Sequence, residues 1–454
     1  MLCPISRGGL CTSLCLLLVG VLPPLARGQD TQPAKPAPTG LPSMIDWTFN
    51  FDAAWGGFGF GNSFFADPKE HVPVDTGDRW FEGYAKPALS GVRTFSDTSQ
   101  LYGKLSVVGE RTYAPREPAP SPIASSFAPE DMYIGWKSGK RWERLGENVV
   151  DLSVGREAYT IGHGMLLWDG TAEGASRGGY WSNARKAWGF AGITRFKPGK
   201  HTAEGFFLKK NDLPERDTET RVLGANYDYA LNDNSTFGAS YMRWWADPFF
   251  YPTRDGEDVL NFRAYTAPIK RLSDLSFAAE YARERNGDLL RSTAWNAQAT
   301  YKLSSVTWTP AVSYRYAIFE GDDPATPQSE AFDSLQTGFY DWGTWWQGEI
   351  GGEYFLSNSN LVSHLVRVNV TPRESITTGV FLYDFLLDQP STFAPGVTSR
   401  DLAFETDWFM DWKINKNFTA SFVAAFADPH DAIEQATGRT RNLRYGMVYL
   451  AYSY

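Results

Sequence analysis

The sequence has almost no cysteine. Its three, Cys3, Cys11 and Cys15, all fall within the first 28 residues. That stretch reads as a secretory signal. Arg7 supplies a positive start, Leu10 to Leu22 an apolar run, and Ala26-Arg27-Gly28 a small-residue cleavage site before Gln29. Neither Cys11 nor Cys15 follows a lipobox, so no lipid anchor is expected. Removal of residues 1–28 leaves a chain without thiols. That argues against a disulfide-stapled secreted protein and suits a chain threaded unfolded through an oxidising compartment. Long apolar runs are also scarce, and the mean hydropathy is -0.35. A helical membrane protein is therefore not expected. Histidine is rare: His71, His163, His201, His364 and His430 are all there is. None sits in a recognisable Ser motif, so a lipid-modifying barrel enzyme is not expected. Basic residues are in deficit. The 43 Lys and Arg less Arg7 and Arg27 leave 41 against 52 Asp and Glu, a net charge of −11, which argues against a nucleic-acid partner.

Aromatics are abundant: 17 Trp, 22 Tyr and 30 Phe, or 15% of the chain. That content suits two aromatic girdles at the faces of a membrane. Residues 29–44 are rich in Pro, Thr and Ala and read as a flexible periplasmic lead-in. From Ile45 onward the chain alternates at period two. Trp47, Phe49 and Phe51 oppose Thr48, Asn50 and Asp52. Phe404, Trp408 and Trp412 oppose Glu405, Asp407, Asp411 and Lys413. The last segment, Asn442 to Tyr454, alternates too, and Val448, Leu450, Tyr452 and Tyr454 are expected to face lipid. It is expected to close a barrel by pairing with the first strand.

Connection lengths separate a barrel from a sandwich. Long stretches at 56–78, 113–129, 160–185, 211–219, 247–256, 320–360, 388–399 and 428–441 alternate with short ones. Outer-membrane barrels have this asymmetry between external loops and periplasmic turns. The count is about 18 strands, in an all-β, antiparallel up-and-down transmembrane β-barrel over residues 45–454. The 320–360 stretch is read as one external loop, with a short helix near Trp345–Phe355, folded into the pore.

Two stretches carry a family resemblance. Asp151 to Gly170 (DLSVGREAYTIGHGMLLWDG), followed by Trp188–Lys200, resembles the strand-and-loop motif of the alginate export family of outer-membrane channels. Gly155-Arg156-Glu157 stands where that family has a G-R-Q-like triplet. Phe332 to Asp388 resembles the segment before the late strands of the same family. The resemblance implies an 18-stranded barrel passing an acidic polysaccharide or a smaller solute.

A channel selects by charge rings and constricting loops. Alternation points Arg367, Arg315, Arg263 and Arg195 inward, where guanidinium groups would favour an anionic sugar acid. Glu405 and Asp407 face inward by the same logic. Arg156 shares the parity of lipid-facing Leu152 and Val154 unless a bulge at Gly155 turns it, and is included through the motif. Trp168, Asp169, Trp345, Trp346 and Glu349 are expected to form the constriction. The leading expectation is passive passage of an anionic saccharide or polysaccharide; the alternative is a general or small-solute-specific uptake porin, ahead of an enzyme or adhesin barrel. No cofactor or metal is expected. Expected partners are the lipid bilayer with its lipopolysaccharide, the saccharide, and the outer-membrane assembly machinery through the Tyr454 strand. The chain is expected to be a monomer in a Gram-negative outer membrane.

Overall fold

The computed structural model describes residues 45–63, 78–113, 123–170, 177–179, 181–182, 184–213, 216–268, 274–338 and 347–454. The signal and lead-in (1–28 and 29–44) lie outside them, as do Trp345 and Trp346. Eighteen strands form one sheet: β1 (Asp46–Gly61), β2 (Asp78–Thr94), β3 (Gln100–Tyr113), β4 (Ile123–Lys137), β5 (Val150–Arg156), β6 (Phe190–Phe196), β7 (His201–Lys209), β8 (Arg221–Asn232), β9 (Ser235–Trp245), β10 (Glu257–Thr266), β11 (Leu275–Asn286), β12 (Leu290–Lys302), β13 (Ala311–Phe319), β14 (Leu361–Arg373), β15 (Ile376–Leu386), β16 (Asp401–Lys413), β17 (Phe418–Pro429) and β18 (Leu443–Ser453). Each pairs antiparallel with its sequence neighbours, and β1 pairs with β18, so the sheet closes on itself. Closure leaves no edge strand. The expected 18-stranded antiparallel barrel is what forms.

Side-chain alternation assigns the two faces. Trp47, Phe49, Trp55, Leu105, Phe262, Trp295, Trp408 and Val448 stand exposed on the outside. Such a surface in water would forfeit roughly 25 cal/mol per Å² of apolar area, and lipid removes that cost. Inward residues of the same strands are buried, among them Tyr445, Met447 and Tyr449 of β18.

The seam runs from Asp52 opposite Ser453 to Gly61 opposite Arg444. Tyr454 extends it by two backbone bonds, Phe51 N–H to Tyr454 O at 3.1 Å and Tyr454 N–H to Phe51 O at 3.0 Å. Inside, Trp181 packs against both seam strands, 5.2 Å from Phe58 and 5.0 Å from Tyr449 between ring centroids. Deleting Tyr454 removes both terminal bonds. The fraction of barrel inserted in membranes, read by heat-modifiable gel mobility, should fall, while the ion selectivity of inserted barrels should not change. Normal insertion of the truncation would count against this role.

Several strand ends depart from expectation, among them the start of β6, which comes at Phe190 rather than directly after the 160–185 connection. β1 continues through the Gly/Phe-rich tail to Gly61, because Phe58 and Phe60 point inward onto Trp80. β4 starts at Ile123, inside the expected Pro-rich loop. Pro129 falls at the β3–β4 register shift between Leu105 and Val107, where a strand tolerates a missing N–H. β5 ends at Arg156, after Gly155 adopts φ 135°, and the chain turns inward. β13 starts at Ala311, because Trp308 and Thr309 hold positive φ in the preceding turn.

Candidate functional site

The described residues of two long connections lie inside the barrel: those of loop A (157–189) between β5 and β6, and those of loop B (320–360) between β13 and β14. They leave the wall with eight strands, β6–β13, between them on one side and ten on the other. They meet inside. Trp168 N–H donates to Gln336 O at 2.8 Å, Gln336 N–H to Leu166 O at 3.0 Å, and Gly338 N–H to Gly164 O at 2.6 Å. Leu167 and Gln336 form a parallel bridge. A Cβ on Gly338 would lie 2.1 Å from the Trp168 ring, so the crossing fits only glycine there. Loop A also reaches the far wall. The His163 ring stacks on Tyr265 of β10 at 3.8 Å, and Asn296 of β12 donates to Met165 Sδ at 3.3 Å.

Inward acids of the wall hold both loops by their backbone N–H groups. Glu82 on β2 accepts from Trp181 at 2.6 Å and from Ser182. Glu110 on β3 accepts from Ala184 at 2.8 Å and pairs with buried Arg185 at 2.9 Å. Glu130 on β4 accepts from Lys186 at 2.5 Å and Ala187 at 2.8 Å. On β16, Glu405 accepts from Ile350 and Gly351, both at 2.7 Å, and Asp407 from Glu349 at 3.1 Å. These contacts grip the start of a π-helical segment, Gly348–Phe355. An inward carboxyl group accepting backbone N–H groups satisfies donors that a buried loop would otherwise leave without partners. Glu405 and Asp407 therefore line the wall beneath loop B and act as its anchors.

The arginines fare differently from one another. Arg195 and Arg263 belong to a cross-strand polar belt. Arg195 Nε donates to Glu204 at 3.1 Å, and Asn226 Nδ2 bridges Glu204 (3.0 Å) and Asp228 (2.8 Å). Arg263 reaches Asp228 at 3.0 Å and Ser240 at 3.0 Å, and Asn261 donates on to Glu280 at 2.9 Å. Both arginines are buried. Arg315 is wholly buried, with Nη2 3.5 Å from Gln347 of loop B. Arg367, paired with Ser313 and Phe381 across the sheet, keeps partial exposure. Arg156 stays on the outer face. It pairs with exposed Met132, its guanidinium donates to the Glu130 and Pro129 carbonyls, and the pairing of β4 with β5 runs through Gly155 without a bulge that would turn it into the lumen. Trp168 and Asp169 are buried in the loop crossing, and Glu349 lies beside Asp407.

Sequence reading missed Lys186, Lys86 and Lys104. Lys186 lies 4.7 Å over the Trp168 ring. Burial lowers its ammonium to about 8, against the opposing pull of Asp169. Lys86 and Lys104 both pair with Asp131, at 3.4 and 2.9 Å, and Lys86 also comes within 4.0 Å of Glu130. Inward parity on β2 and β3 was the available signal for Lys86 and Lys104. No periodicity flags a loop lysine.

No protein-family profile matches the chain, and no curated relative matches it in sequence. Solved structures do resemble it. Acinetobacter baumannii OccAB2 superposes with a TM-score of 0.58 at 11% identity, covering 89% of this chain and 98% of that one. A BenF-like porin from Pseudomonas fluorescens Pf-5 gives 0.55 at 12% identity, over 90% and 98% of the two chains. The outer membrane protein opdK from Pseudomonas aeruginosa gives 0.53 at 9% identity, again over 90% and 98%. At these identities the likeness speaks for architecture, and the architecture is an 18-stranded, porin-like barrel with two loops joined inside it.

Proposed function

We propose that the chain is an outer-membrane uptake channel for small hydrophilic solutes, with anions favoured over cations. The meeting of loops A and B carries this reading. A hydrogen-bonded crosspiece at Leu167 and Gln336 divides the path, which suits a small solute better than a polymer. Likeness to a BenF-like porin supports the same choice. The alginate-export reading finds no family profile behind it, and the small-solute alternative takes its place. A small saccharide acid remains one candidate solute. The location, the cleaved 1–28 signal, assembly through the terminal strand and a monomeric state belong to the same proposal.

Charge accounting supports the anion preference. Five inward acids, Glu82, Glu110, Glu130, Glu405 and Asp407, are engaged by loop amides. Lys86 and Lys104 both reach Asp131, Lys86 also comes within 4.0 Å of Glu130, and the Lys186 ammonium lies over the Trp168 ring. Amide dipoles aimed at the acids offset part of their field, and three ammonium groups gathered on one stretch of a narrow pore shape its selectivity.

Reversal potentials in a potassium chloride gradient across a planar bilayer test this. Wild type should prefer chloride. That preference should fall between roughly pH 7 and pH 9 as Lys186 loses its proton, one unit either side of its value of about 8. Lys186→Gln should abolish that pH dependence, and adding Lys104→Gln should lower the preference further. Stability runs the other way. Burial penalises the charged form, so the Lys186 contribution improves as pH rises from about 8 toward the ordinary value of 10.5. Absence of conductance, or cation preference in wild type, would overturn the reading.

A further inference from the structure

The outward side chains of β7–β12 fall into two bands. Most of their length shows lipid an apolar and aromatic surface, including Leu223, Leu260, Phe262, Tyr281 and Trp295. At the long-loop end this gives way abruptly to cations. One ladder row runs Arg243, Asp258, Arg285, Arg291 across β9–β12, each residue directly opposite the next. Arg221 and Lys209, opposite each other on β8 and β7, extend the arc, and Arg283 lies one residue pair below Arg285, opposite Leu260.

The arc is poorly neutralised. Six cations, five Arg and one Lys, meet a single outward acid on these strands, Asp258, which leaves five positive charges. Asp258 is itself held by the Tyr241 hydroxyl and by Arg243 at 3.5 Å. The side chains of Arg221, Arg283, Arg285, Arg291 and Lys209 make no ion pair or hydrogen bond among the described residues. The loop acids Asp212, Asp217, Glu219, Asp247, Asp255 and Asp288 lie beyond the strand ends, and Asp212 is taken up by Lys210 at 3.1 Å. Elsewhere on the outer wall at this end cations come singly, as Arg79, Arg111 and Arg444 do.

Position supplies the chemistry. A guanidinium row directly above a lipid-facing apolar band lies at headgroup height. Strands spaced about 4.8 Å apart place Arg243 and Arg291 roughly 15 Å from each other, enough to engage two phosphate groups at once. The planar fork of each arginine matches phosphate oxygens bidentately. The geometry points to a binding site on this arc for the phosphate groups of a phosphorylated glycolipid in the outer leaflet. The inference rests on the outer-membrane reading above.

The test uses the purified full barrel, loaded in detergent with diphosphorylated lipid A or with its dephosphorylated form, washed, and assayed for retained lipid by mass spectrometry. Wild type should retain the phosphorylated lipid about tenfold better, as several charge-assisted contacts require. Arg285→Ser with Arg291→Ser should erase most of that difference. Arg285→Lys with Arg291→Lys should keep it, and so should Arg79→Ser with Arg111→Ser at the far side of the rim. Equal retention of the two lipids by wild type would overturn the site without recourse to any variant. Equal losses in the two serine pairs would overturn it as well. Conductance measured on the same samples separates the two readings: a conducting barrel without lipid preference lacks the site, whereas a barrel that never conducts is not the channel proposed.

Discussion

Glu405→Ala should raise single-channel conductance several-fold and add slow gating noise. Glu405 holds the start of the Gly348–Phe355 segment through two amide bonds of 2.7 Å, in a position sealed from solvent. Leaving a buried donor without its acceptor costs ~1–3 kcal/mol, so losing both acceptors shifts the docked-to-released balance of loop B by at least roughly thirtyfold. Released, the segment leaves Arg315 and Ser363 without the Gln347 carboxamide that covers them. Glu405→Gln retains one acceptor oxygen of two and should fall between alanine and wild type. Asp407→Asn weakens a single bond of 3.1 Å and should act least. Planar-bilayer recordings of the three variants give the order. Wild-type conductance and noise in Glu405→Ala would mean that loop B is held by something else.

Arg254→Ala should be as consequential at the other end of loop B. Arg254 forks onto Asp333 through Nε at 2.8 Å and through Nη2, and stacks 3.8 Å over Tyr251. The Asp333 N–H in turn donates to Glu284 at 2.8 Å, and Glu257 is buried alongside. Removing the one guanidinium leaves the Asp333 carboxylate without its partner among two further buried acids, and breaking a buried ion pair costs ~3–5 kcal/mol. Amide exchange in residues 320–338 should accelerate by roughly a hundredfold or more. Arg254→Ala with Asp333→Asn removes both charges and should recover part of the protection. Burial pushes the Asp333 carboxyl up, but Arg254 outweighs it and holds the group below its ordinary 3.8. A depressed carboxylate contributes in full above its unfolded value and is lost only as pH falls through the lower folded one. The clamp should therefore stay closed at pH 5 and weaken only in strong acid. Unchanged exchange in Arg254→Ala would remove the clamp from the account.

Much of the wall could be read from the chain, because a barrel strand writes its two environments into alternate residues. All 18 strands answer to segments of alternating character. Where the ends were misplaced, a local feature had overridden composition: inward phenylalanines in a glycine run at Phe58 and Phe60, or a proline tolerated at a bulge at Pro129. Inward parity placed Arg315, Arg367, Glu405 and Asp407 inside, but parity is blind to what covers a residue. Burial of Arg315 under Gln347 and the capture of Glu405 by Ile350 and Gly351 depend on contacts to a loop dozens of residues away. Lys186 was invisible for the same reason, since its place is set by the neighbouring amides that Glu130 holds.

The position of Trp181 has a kinetic consequence. It touches Phe58 on the first strand and Tyr449 on the last, so a residue from the middle of the chain bolts the closing joint from within. Those two strands are the earliest and latest synthesised, and the ring cannot seat until both are present. Joining the ends and stowing loop A thus become one event rather than two. An assembly intermediate with an open joint should also have its loop A outside. In the finished barrel the coupling works in reverse. Swinging out the part of loop A that carries Trp181 would loosen the joint itself, so motion on the time scale of solute passage falls to loop B, whose clamps at Glu405 and Arg254 do not touch Phe58 or Tyr449.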